Sequence, residues 1–301
     1  MDMVKVRVPA TTANLGPGYD TLGMAVSMFL EVEFELSSKH STVNAEGLDC
    51  EQLSSAVEDH LIIQAAEFVF KKAGQPRPPL HLFIKNGIPV AKGLGSSAAA
   101  IAAGMFGANV LLGTPFTRQQ LINWAVQREG HADNVVPAFV GGLTVNLLNG
   151  DKVFYEKLSV PPELQLILLV PDFTLATQKS RSVLPAEIPL EQAVASMQRS
   201  CLLVAGLAKG RVEHLRWAMD DRLIQPLRKQ FVPGFDQVLA AARKAGAIGV
   251  VMSGAGPSIV AFSQDKVDDI GVAMLEAFEH AGNKGKIFYP APCSIGAQII
   301  N

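Results

Sequence analysis

The feature that most limits what this chain can fold into is the stretch PVAKGLGSSAAAIAAG, Pro89 to Gly104, together with the residues just after it. From Gly93 to Phe116 there is no charged side chain. That length could cross a bilayer, yet it is built from alanine, glycine and serine, with few large apolar residues. Alanine contributes little to insertion, and no other segment of the chain would join it in a bundle. A helix buried on all sides of a soluble protein fits better. Ahead of that helix, Gly93-Leu94-Gly95-Ser96-Ser97 comes after a strand-like segment. Two readings are open to it. One is a tight turn with a serine N-cap. The other is a cradle, in which glycines let backbone N–H groups turn inward on a phosphate and the helix start adds about half a positive charge.

The rest of the composition narrows the class of partner. A chain of 301 residues, 49% apolar and 18% charged, has room for two domains and a sizeable core. Its net charge of -2, with no Lys/Arg-rich run, offers no nucleic-acid surface, and a small molecule is the better default partner. Cys50, Cys201 and Cys293 lie far apart without metal-type spacing, which suits a reducing cytoplasm more than a disulfide scaffold. The opening MDMVKVRVPA lacks the apolar stretch of a signal peptide.

Periodicity divides the chain into two similar halves. Val4, Val6 and Val8 alternate with Lys5 and Arg7, and Leu30 to Leu36 alternates apolar residues with glutamates, so both predict half-buried strands. AVEDHLIIQAAEFVFKKAG has helical spacing and stops at Gly74. LHLFIK is a further strand. Thr117 and Gln120 form a capping-box pattern opening RQQLINWAVQRE. GLTVNLL and KVFYEKL predict a hairpin turning at Asn149-Gly150. Past Leu158, LQLILLV is a buried strand, and a loop from Pro171 to Pro189 leads into a helix over Leu190 to Ala208. Helices are expected near Glu213 to Met219, Phe235 to Ala245 and Val267 to Ala281, with IGVVMSGAGPSIVAF as strand, glycine turn and strand, and short strands at the end. The pattern is α+β, with domains over residues 1–157 and 158–301.

No Gly-x4-Gly-Lys-Ser/Thr occurs, and no His-Arg-Asp or Asp-Phe-Gly, so the P-loop and protein-kinase routes to nucleotide chemistry are absent. Three further stretches supply another route: PATTANLGPGYDTLG from Pro9, EGHADNVVPAFVGG from Glu129, and MSGAGPSIVAF from Met252. With GLGSSAA, in this order and spacing, they make the chain resemble the GHMP kinases, the family of galactokinase, homoserine kinase, mevalonate kinase and phosphomevalonate kinase. PATTANLGPGYD and HADNV resemble the branch acting on L-homoserine. The resemblance covers nearly the whole chain. It implies a two-domain fold, with an N-terminal half like ribosomal protein S5 domain 2 and a ferredoxin-like C-terminal half, and an active site between them.

The resemblance also implies roles. ATP phosphates would lie on Pro89, Lys92, Gly93, Leu94, Gly95, Ser96 and Ser97, with Gly254 and Gly256 of the second glycine turn and His60 near the adenine. Ser97 and Glu129 would hold Mg²⁺, which takes few protein oxygens beside phosphate and water. Arg181 and Arg228 would grip the carboxylate of L-homoserine, a task suited to guanidinium, and Asn14, Asp20 and His131 would receive its ammonium. Asn134 would orient the hydroxyl. Asp133 is either a base or a carboxylate holding the loop, since a loose transition state does not demand a strong base. Read without the family, Arg181 and Arg228 are surface arginines, Asp20 a turn residue, His131 a structural histidine, and Lys92 a solvated lysine. Three positions depart from the family pattern: Ala132 for proline, Tyr19 for phenylalanine, and His60 for asparagine. The resemblance implies a cytoplasmic enzyme of threonine biosynthesis, with no membrane or nucleic-acid partner and with a homodimer as the usual family assembly. The rival readings are a mevalonate- or shikimate-type kinase of the same family, and a non-catalytic nucleotide-binding relative.

Overall fold

The computed structural model describes residues 3–53 and 57–300. The first sheet takes its strands from β1 (Met3–Ala13), β2 (Leu22–Leu36), β3 (Thr42–Gly47), β4 (Leu80–Asn86), β5 (Leu143–Asn149) and β6 (Lys152–Leu158). The helices α1 (Leu61–Lys72), α2 (Ser96–Leu111), α3 (Arg118–Glu129) and α4 (Ala132–Val140) lie between them in sequence. The second half contributes β7 (Gln165–Pro171), α5 (Thr177–Arg181), α6 (Leu190–Ala208), α7 (Leu215–Ala218), α8 (Gln225–Arg228) and α9 (Phe235–Ala245). It closes with β8 (Gly249–Met252), β9 (Ile259–Ser263), α10 (Val267–His280), β10 (Gly285–Phe288) and β11 (Gln298–Ile299).

Strand β2 organises the first sheet. Its whole length pairs with β1, its C-terminal half pairs with β4, and its first residues pair with β5, all antiparallel. Among the described residues, the one parallel pair is β3 with β4. On this sheet α2 is buried almost all round, with Ala98, Ala99, Ile101, Ala102 and Met105 fully enclosed. An apolar helix without a polar face has no other stable place in water, so the charge-free run is a core helix. Among the described residues, no helix is long and apolar enough to cross a membrane.

The second sheet has the order β10-β7-β9-β8, all antiparallel. This is the ferredoxin-like arrangement. Its core is Ile167, Leu169, Val238, Ile259, Ile270 and Phe278, closed by α9 and α10.

Most expected elements form, and the differences have local causes. Helix α1 starts at Leu61 because His60, in extended backbone, accepts from the Ile62 N–H and caps it; Ala56, where the pattern placed the start, lies outside the described residues. Between Val212 and Ala218 the chain makes a short 3₁₀ turn and one α-turn instead of a single helix. The loop from Pro171 to Pro189 contains α5, and β3 and α8 carry too little periodicity to be predicted. The terminal strands separate: β10 joins the second sheet, while β11 returns to pair with β1 of the first.

Candidate active site

Between the two halves lies a cleft of about 390 Å³, open to solvent. Its floor is the loop entering α2. Gly93 and Gly95 both take positive φ, +77° and +68°. A Cβ on Gly93 would collide with the Ser253 carbonyl, and one on Gly95 with the Thr11 hydroxyl. Gly95 is the N-cap of α2 and offers no side-chain cap, so first-turn N–H groups are left for an outside acceptor. Thr11 donates its backbone N–H to the Leu94 carbonyl, and Ser253 Oγ donates to the Gly93 carbonyl at 2.7 Å. The loop is thus clamped from the first motif and the second glycine turn. Pro89 and Gly256 stand behind this lining; the Gly256 carbonyl backs Gly93, while Gly254 faces the cavity.

Ser97 Oγ, at the start of the charge-free helix, donates to Glu129 Oε2 at 2.7 Å. A hydroxyl and a carboxylate beside an anion-binding helix start are hard oxygen donors, and they fit Mg²⁺. Glu129 ends α3, and Gly130 in left-handed backbone turns the chain into α4. That turn delivers a buried polar chain. Thr11 Oγ1 donates to Asn134 Oδ1 at 2.8 Å, Asn134 Nδ2 donates to Asp133 Oδ1 at 3.3 Å, and His131 Nδ1 lies 2.8 Å from the same oxygen. Burial alone would lower the His131 imidazole. Its hydrogen bond with Asp133, and the charges of Asp133 and Glu129, outweigh this and hold it above its ordinary value.

The opposite wall comes from three distant segments. Arg181, at the end of α5, makes a bidentate contact with Asp20, its Nη2 donating to Oδ1 at 2.6 Å and its Nη1 to Oδ2 at 3.0 Å. Nη1 also donates to the Tyr19 hydroxyl at 2.6 Å. Arg228 is 2% exposed, donates to the Ser180 and Gly254 carbonyls, and lies over the Tyr19 ring. Asn14 donates to the Gly254 carbonyl and accepts from the Asp20 N–H, which joins the first motif to the second glycine turn. So Arg181 is not a free surface side chain, and Asp20 is paired rather than open.

Lys92 is neither solvated nor aimed at the cavity mouth. Its ammonium is buried and donates to the Pro171 and Phe173 carbonyls at 2.8 Å each. Burial pushes it down, against the raising charges of Asp49 and Asp172. Lys92 therefore ties the glycine loop to the end of β7. His60 lines the cleft, as do Leu53 and Ile84, and its imidazole is pushed down by burial.

Sequence reasoning passes over Thr11 and Asp221, and it marks Tyr19 as a departure from phenylalanine without giving its hydroxyl a use. Buried Asp221 accepts from the N–H groups of Leu223, Ile224 and Gln225, and so sets the turn that carries Arg228. The Asp221-x-x-x-Gln225 spacing before Pro226 is the only signal for it, and many turns share that pattern.

Family models match in both halves: GHMP kinases N terminal domain over residues 60–142, and GHMP kinases C terminal over residues 203–280. The homoserine kinase of Moorella thermoacetica is 44% identical, covering 99% of this chain and 100% of its own. That of Carboxydothermus hydrogenoformans is 43% identical, over 99% and 98%. Among solved structures, a homoserine kinase from Cytophaga hutchinsonii superposes with a TM-score of 0.90 at 32% identity, covering 100% of this chain and 98% of its own. A mevalonate kinase from L. major shares the fold alone, at TM-score 0.72 and 18% identity over 98% of this chain and 96% of its own.

Proposed function

The chain belongs to the GHMP kinase family, and on that premise we propose how its cleft moves a phosphoryl group from ATP to the side-chain hydroxyl of L-homoserine. Its activity is that of a homoserine kinase. The observation that carries the division of labour is the Ser97–Glu129 contact at the uncapped start of α2, beside the buried run from Thr11 to His131.

ATP lies with its phosphates on Gly93 to Ser97, where backbone N–H groups and the helix start meet negative charge without reorganising. Its base lies toward His60, Leu53 and Ile84. Ser97 and Glu129 would hold Mg²⁺, whose charge would neutralise that of the transferring phosphoryl. Asn134 is fixed by Thr11 at its carbonyl and by Asp133 at its amide, and its second amide N–H serves the acceptor hydroxyl. His131 holds Asp133 under that loop. The transfer needs alignment and charge stabilisation more than a strong base. Arg181 and Arg228 take the substrate carboxylate, and Asp20, exchanging part of its contact with Arg181, takes the ammonium.

The test is ADP release with ATP and Mg²⁺ over L-homoserine, D-homoserine, L-threonine, L-serine, mevalonate and shikimate. Strong turnover on L-homoserine alone is expected. Turnover only on mevalonate or shikimate would overturn the substrate wall while leaving the phosphate floor.

A further inference from the structure

We infer that the Tyr19 hydroxyl is a third donor to the substrate carboxylate, alongside Arg181 and Arg228, and strengthens the preference for acceptors that carry that group. The inference rests on the homoserine reading above and adds a residue to it. The Tyr19 ring packs against two cations, with the guanidinium of Arg181 5.3 Å and that of Arg228 5.1 Å from its centre. Such stacking fixes a ring that one loop would otherwise leave free to turn. The phenol oxygen is fixed as well, because Arg181 donates to it at 2.6 Å.

That bond uses the oxygen as an acceptor and leaves its proton unspent. Among the described residues no group accepts from it, and Tyr19 lines the cleft. An O–H on a residue lining the cleft, beside the Arg181 guanidinium and with Arg228 over its ring, is a free donor where an anion is most strongly stabilised. The proton stays on at neutral pH: burial and the charge of Asp20 push the phenol up, against Arg181 and Arg228. A phenylalanine here would keep both stacking contacts and lose the donor alone, so Tyr19→Phe isolates the hydroxyl.

The measurement is a cycle on enzyme and substrate together. Unmutated enzyme and Tyr19→Phe are assayed for ADP release with L-homoserine and with 3-aminopropan-1-ol, which keeps the hydroxyl and ammonium and lacks the carboxylate. A hydrogen bond to a charged group corresponds to roughly a tenfold to hundredfold change in KM. The expected result is a rise of that size for L-homoserine, with kcat and the KM for ATP held, and no change in kcat/KM for the amino alcohol. Equal loss on both substrates would overturn the inference, since it would make Tyr19 a structural support. So would an indifferent Tyr19→Phe, or one whose melting temperature falls with its activity. Failure of the unmutated enzyme to use L-homoserine would instead overturn the substrate reading beneath it.

Discussion

The two walls of the cleft are built in opposite ways. The phosphate wall is mostly backbone from one contiguous loop: two glycines in left-handed conformation, an uncapped helix start, and one serine meeting a glutamate from the end of α3. The amino-acid wall is side chain and long-range: Tyr19 and Asp20 come from the first motif, Arg181 from α5 and Arg228 from α8, and they meet only when the halves dock. The phosphate wall is preorganised, and the backbone N–H donors at the start of α2 are unspent. The amino-acid wall satisfies its own charges, with Arg181 on Asp20, and must trade contacts to admit a zwitterion.

The sharpest way to break this contrast is at the phosphate wall. Ser97→Ala and Glu129→Gln should each lower kcat by about 10²–10³, the usual loss when one electrostatic stabiliser of a transition state is removed. Ser97 caps nothing, and its hydroxyl contacts only Glu129 at an exposed edge, so the melting temperature should hold. Equal losses of stability and turnover would make the pair a structural tie and the wall no different from its opposite.

The amino-acid wall should answer in KM instead. Arg181→Ala removes the donor that Arg181 would turn from Asp20 to a carboxylate, and one charged hydrogen bond is worth about 1.5–3 kcal/mol. The KM for L-homoserine should rise about tenfold to hundredfold, with the KM for ATP unmoved. Arg181→Lys should recover only part, since an ammonium lacks the planar fork. An Arg181→Ala enzyme with unchanged homoserine KM would remove Arg181 from the substrate wall.

This difference also explains what could be read in advance. GLGSSAA is contiguous, so glycine, serine and an apolar run announce a turn, a helix start and a buried helix from local rules alone. Arg181 and Arg228 stand 47 positions apart in the numbering, and nothing local separates them from any surface arginine; only the family resemblance picks them out. Lys92 misleads for the converse reason. A lysine ahead of a glycine loop reads as a solvated or phosphate-facing charge, but the end of β7 brings two carbonyls that bury it. The return of β11 to the first sheet is equally invisible, because two-residue pairings carry no periodicity.

His60 tests how far the local construction extends along the nucleotide side. It caps α1 by accepting from Ile62 N–H through Nδ1, and a protonated imidazole has no acceptor left. Burial holds its folded pKa below the ordinary value, near 6.5 for an unperturbed histidine. The unfolded chain therefore binds the proton more readily. The stability His60 contributes is present above about pH 6.5 and is lost as pH falls below that value toward its folded pKa. His60→Asn keeps a capping oxygen that does not titrate. Melting temperatures of the two proteins from pH 8 to pH 5 should run parallel at first, and the unmutated protein should then fall faster on the acid side. Parallel curves throughout would mean that the cap does not depend on a neutral His60, and that this end of the cleft, like the amino-acid wall, is held by contacts from elsewhere in the fold.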